Sequence, residues 1–169
     1  MRPASIQPAA VRFETGTQSF EAQAALLGTI AYLEWLGREA APGTNGERRG
    51  LLRTAMEACR AYEEELSERL LAGLTQIEGL RLYGSPTTEA RVPTFAFTLA
   101  GCNSRDVAAA LGEAGIFAWA GHFYAVETLE RLQLADQGGL IRVGLCHYNE
   151  AREVDYLLER LRELAGQDA

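Results

Sequence analysis

Apolar positions recur at helical spacing through the first part of the chain and at shorter spacing after Gly79. From Ser19 to Leu36, Ala24, Leu27, Ala31 and Leu36 lie near a 3.6-residue period, which predicts a helix. Gly37, then Ala41-Pro42-Gly43-Thr44-Asn45-Gly46, predict a break followed by a hinge. Thr44-Asn45-Gly46-Glu47 reads as a capping box opening a second helix to about Leu74. Ala55, Cys59, Tyr62, Leu66 and Leu70 form its apolar stripe, and Glu63, Glu64 and Arg69 its solvated face.

The period then changes. Leu80–Tyr83, Thr94–Leu99 and Leu140–Gly144 read as strands, the first two parted by the Gly84-Ser85-Pro86 turn. Ile116–Ala120 reads as a further short strand. Asn103 is placed to cap a short helix through Leu111, and another is expected from about Tyr124 to Leu132. The last helix runs from about Glu150 to Leu164. Asn149 is its expected cap, and Val154, Leu157, Leu158, Leu161 and Leu164 its buried face. A long helix followed by these elements predicts a two-layer α/β (α+β) domain. Its sheet is expected to be small and mixed, with three to four strands and helices packed on one face.

Composition narrows the function classes. The net charge of −7 argues against a nucleic-acid partner, because phosphate contacts need a basic patch. No apolar run approaches the roughly 20 residues of a membrane span. Met1–Ile6 lacks the apolar stretch of a signal peptide, so a cytoplasmic protein is expected. Cys59, Cys102 and Cys146 are odd in number and widely spaced, which suggests neither a disulfide framework nor a zinc ribbon. All 16 basic residues are arginine. Without lysine, Schiff-base chemistry by a side-chain amine is closed to this chain alone.

Three places could carry chemistry. Arg142 lies within the apolar run Leu140–Gly144, where a guanidinium fork suits a carboxylate. A structural salt bridge or an exposed strand face is the plainer alternative. Gly16 and Thr17, in Phe13-Glu14-Thr15-Gly16-Thr17-Gln18-Ser19, precede a helix as an anion-binding turn does, though an ordinary N-cap has the same pattern. His122 and Tyr124 follow a short strand and could line a pocket, handle protons or pack an inter-domain face. His122, His147 and Cys146 match no zinc spacing, and no metal site is expected. Cys59 and Cys146 read as buried inert thiols, while Cys102 has no assigned role.

In order along the chain, several segments resemble the C-terminal part of class V aminotransferases, in particular cysteine-desulfurase-like proteins of fold type I. Arg12-Phe13-Glu14-Thr15-Gly16-Thr17 resembles their Phe-Glu-x-Gly-Thr motif. Arg91-Val92-Pro93-Thr94-Phe95-Ala96-Phe97 resembles the strand opening the later half of their small domain. Gly121-His122 stands where desulfurases carry a Gly-His-His-Cys-Ala loop. Arg142, Tyr148-Asn149 and Glu153-Val154-Asp155 resemble the family's closing motif.

The resemblance implies a pyridoxal 5'-phosphate (PLP) enzyme acting as a homodimer on a small amino-acid substrate. It implies that Arg142 holds the substrate α-carboxylate and that His122 and Tyr124 lie on a loop closing over the site. Gly16 and Thr17 would reach the cofactor phosphate of a neighbouring subunit. Residues 1–37 would belong to the interface of a large domain that the chain lacks, and residues 38–169 would be the small domain. The family's PLP lysine lies in that large domain, and Tyr124 stands at the position of the desulfurase loop cysteine. No catalytic residue and no covalently bound cofactor are therefore expected in this chain alone. The leading expectation is a truncated, inactive C-terminal domain. The alternatives are one subunit of a split enzyme completed by an N-terminal half, and a dimerisation module working through residues 13–36.

Overall fold

The computed structural model describes residues 16–43 and 46–166. The chain divides into two compact units, Met1–Ala58 and Cys59–Ala169, and the division falls inside the second helix. In the first unit, α1 spans Phe20–Ala40, and the Ser19 hydroxyl caps it by accepting from the Ala22 N–H. The expected break at Gly37 is absent. A Cβ there would strike the Leu51 carbonyl of α2 (Arg48–Leu74), so this glycine lets two helix backbones touch. Glu34, paired with Arg38 and Arg48, ties the same two helices. Thr44 and Asn45 of the expected capping box lie outside the described residues.

The second unit holds the remainder of α2 and a four-stranded sheet of β1 (Leu80–Tyr83), β2 (Thr94–Leu99), β3 (Trp119–Gly121) and β4 (Leu140–Gly144). Its strand order is β1-β2-β4-β3 and every pairing is antiparallel, where a mixed sheet was expected. β2 and β3 do run parallel, joined by α3 (Ser104–Glu113), but β4 lies between them and is antiparallel to both.

Alternation along β2 and β4 sends Phe95, Phe97, Leu99, Ile141 and Val143 to one face. There they pack with Leu66, Leu70 and Leu74 of α2, Val107 and Leu111 of α3, and Val154, Leu157, Leu158 and Leu161 of α5 (Ala151–Leu164). Helices are not confined to that face. α4 (Val126–Arg131) and a 3-10 turn at Ala135–Gln137 cover one end of the other face, where Leu129, Leu134 and Leu140 form a second small cluster.

Several boundaries move for local reasons. Residues 116–118 fold back after α3, with Ile116 N–H donating to Leu111 O and Ala118 N–H to Ile116 O, so β3 begins only at Trp119. Phe123 and Tyr124 adopt left-handed φ values of 50° and 62°, which delays α4 to Val126. Glu150, not Asn149, caps α5, in a reciprocal box with Glu153. Asn149 instead accepts from the Cys146 N–H and donates to Glu153. On α2, Tyr62 leaves the expected buried stripe and donates its hydroxyl to Asn149 O, while Arg69 makes a bidentate pair with Asp155 at 2.6 and 2.7 Å. Among the described residues, no helix is long and apolar enough to cross a membrane.

Candidate functional site

Arg142 alternates to the sheet face opposite the main core, directly between Ala96 of β2 and Trp119 of β3. Its guanidinium carbon sits 4.3 Å from the centre of the Phe123 ring. Among the described residues it joins no ion pair. Of the plainer readings, the exposed strand face describes it and the salt bridge does not. The guanidinium is thus placed over an aromatic ring, and Arg142 lines a trough of about 660 Å³. Thr94, Phe117, Trp119 and Gly144 line the same trough.

Phe123 gains its position from behind. It packs on the Leu129, Leu134 and Leu140 cluster, so α4 and the following turn buttress the ring on which Arg142 rests. Gly139, at φ 82°, lets its chain approach the Gly121 carbonyl, which a Cβ would strike. The loop between them carries His122 and Tyr124. His122 Nδ1 accepts the Tyr124 N–H at 3.0 Å, which leaves the proton of the neutral ring on Nε2. The two rings meet edge to face at 6.0 Å, and Tyr124 is 97% exposed. The structure therefore gathers Arg142 and the 122–124 loop on one sheet face, with Phe123 as the link.

Gly16 and Thr17 belong to the first unit, ahead of the Ser19 cap, and both are exposed. A Cβ on Gly16 would meet nothing within 4 Å. Phe13, Glu14 and Thr15 lie outside the described residues. PLP requires an amine for its covalent bond and enclosing donors for its phosphate. This chain has no lysine, and Gly16 and Thr17 form no enclosed cradle, so the described residues do not fit the cofactor by themselves.

The remaining candidates have structural surroundings. Cys59 is buried, and burial together with Glu63 pushes its thiol above the ordinary range. Cys146 is half-buried rather than buried, as is Cys102, whose Sγ lies 4.0 Å from Leu164 O. His147 Nδ1 is 3.6 Å from Glu63. Among the described residues no group of three His, Cys, Asp or Glu side chains could hold a metal ion. Sequence reasoning missed Trp119 and Phe123. Trp119 needed the strand register to place it opposite Arg142, and Phe123 needed the backbone turn to bring its ring beneath the guanidinium.

Comparison with known proteins gives a family. The class-V aminotransferase model matches residues 2–157. A probable cysteine desulfurase of Synechocystis sp. is 34% identical over 152 residues, covering 89% of this chain and 31% of the relative. The uncharacterized protein MT3887 of Mycobacterium tuberculosis is 32% identical over 153 residues, covering 90% of this chain and 36% of its own length. Among solved structures, the apo cysteine desulfurase of Thermococcus onnurineus NA1 superposes with a TM-score of 0.74 at 24% identity, over 95% of this chain and 34% of that one. The Escherichia coli cysteine desulfurase CsdA gives 0.64 at 24% identity, over 93% and 33%. These two structures establish the fold. The chain spans about a third of the length of the curated relatives it matches. With the model match running over most of its length, the chain belongs to the class-V aminotransferase family.

Proposed function

We propose that the chain is the C-terminal small-domain portion of a cytoplasmic, homodimeric, cysteine-desulfurase-like PLP enzyme acting on a small amino acid, and that it is catalytically silent alone. One observation carries this reading. An arginine free of described carboxylates faces an open trough in a family member that has no lysine. Arg142 is the group that would orient a substrate carboxylate through its N–H edge. His122 and Tyr124 would flank it from the loop. When bound, PLP supplies the electron sink, and the amine that holds it must come from outside this chain.

The test is equilibrium dialysis of the purified chain against PLP, before and after borohydride reduction, followed by intact mass and an assay of cysteine turnover. The expected result is no reducible adduct and no turnover. A borohydride-fixed adduct on a side chain, or turnover in the pure protein, would overturn the reading.

A second reading is favoured by α1, on which Phe20, Leu26, Leu27 and Trp35 are exposed. Such a surface suits association with a separate N-terminal half, forming a two-chain enzyme. Restored turnover on mixing the halves would support it. Two folded halves that sediment independently would rule it out. Leu27→Glu should weaken the association and leave the helix content of the chain unchanged.

A further inference from the structure

We propose that Trp119 is a specificity-determining residue of the Arg142 site, biasing it toward monocarboxylates that carry an aromatic or extended apolar side chain. This rests on the reading of Arg142 as the carboxylate holder and replaces the small side chain of the substrate proposed above with a larger apolar one.

The register places Trp119 directly opposite Arg142 in the β3–β4 pair, so the two side chains leave the same face of the sheet. Directly opposed residues of antiparallel strands stand close enough to share a ligand. Trp119 is 68% exposed and Phe117 is 96% exposed, and both border the trough into which Arg142 opens. The Phe123 ring centre lies 4.3 Å from the guanidinium carbon, and a carboxylate pairs with a guanidinium through its N–H groups. A substituent on that carboxylate has the indole of Trp119 beside it on the same sheet face.

The rest of the trough agrees. Arg142 is the one charged side chain among its described lining residues, and Gly144 presents no side chain at all. A second carboxylate or a cationic side chain on the ligand finds no opposite charge there, whereas an aromatic group meets two exposed rings. Aromatic pairs contribute about 0.5–1.5 kcal/mol beyond the area they bury, which converts to roughly a two- to tenfold preference.

The experiment titrates the isotope-labelled chain with 3-phenylpropionate, propionate and 2-phenylethanol. NMR follows the indole Nε1–H of Trp119, identified by its loss in Trp119→Ala, and the Nε–H of Arg142. Phenylpropionate is expected to bind about two- to tenfold more tightly than propionate. Trp119→Ala should lower that ratio most of the way to one while sparing propionate binding, Phe117 supplying the remainder, and Trp119→Phe should keep most of it. Arg142→Ala should abolish both. If the ratio survives Trp119→Ala, the role of Trp119 is overturned and that of Arg142 stands. If phenylethanol binds as well as phenylpropionate, the trough is only an apolar surface, and the proposal fails. If neither carboxylate shifts Arg142, the carboxylate reading fails and the role of Trp119 falls with it.

Discussion

The two faces of β2 and β4 are built from alternating residues of the same strands and have opposite characters. One face sets Phe95, Phe97 and Ile141, all fully buried, against α2, α3 and α5. The other sets Ala96, Arg142 and Trp119 beside each other, and among the described residues α4 and the turn after it close one end of it. A period of two thus gives one side of a single sheet a dry core and the other the Arg142 trough. On that second face Phe123 packs against the small cluster and also lies beneath the guanidinium.

Substitutions can break this division or sharpen it. Phe97→Ala, on the dry face, should cost about 3–5 kcal/mol of unfolding free energy in a denaturant titration. Gly139→Ala joins a left-handed φ to a clash with the Gly121 carbonyl, and should cost about 1–3 kcal/mol while loosening the 122–124 loop. Phe123→Leu keeps an apolar contact but removes the ring under Arg142. It should cost about 0.5–1 kcal/mol and speed hydrogen exchange at Arg142 Nε.

A smaller effect is expected from the cap of α5, which lies over the dry face. The Glu150 N–H, and then Asn149, hold the Glu153 carboxyl below the usual carboxylate range. A depressed acid contributes stability above its unfolded pKa of roughly 4.3, and that contribution is lost as pH falls through the lower folded value. Circular dichroism of Glu153→Gln should therefore show a shallower loss of stability with acid than the parent chain does. Smallest of all, Trp119→Ala should leave the unfolding midpoint nearly unchanged, within about 0.5 kcal/mol. Should it rival Phe97→Ala, the two faces would not be separate in function.

Much of this was legible in the chain where local chemistry decides. β1, β2 and β4 match the expected runs residue for residue, because alternation and flanking turn formers act over a few positions. Asn103 caps α3 as its type and position foretold, accepting from the Arg105 N–H. Gly37 failed as a breaker because its reason is tertiary, the close passage of Leu51. The start of α4 failed because two left-handed residues in succession leave no mark in composition. Arg142 stood out as a charge in an apolar strand. Trp119 did not, because an exposed aromatic acquires meaning only from what the register sets opposite it.

The strand order also dictates a sequence of assembly. β3 meets the sheet only through β4, and β4 takes its central place only beside β2, with residues 100–139 closed between them. The β3–β4 pair closes only residues 122–139 and the β1–β2 pair only residues 84–93, so each forms at a smaller loop-entropy cost than the central pair. The Trp119–Arg142 juxtaposition is therefore made within a local two-strand unit, and closing the β2–β4 pair is the step that joins the two halves of the sheet.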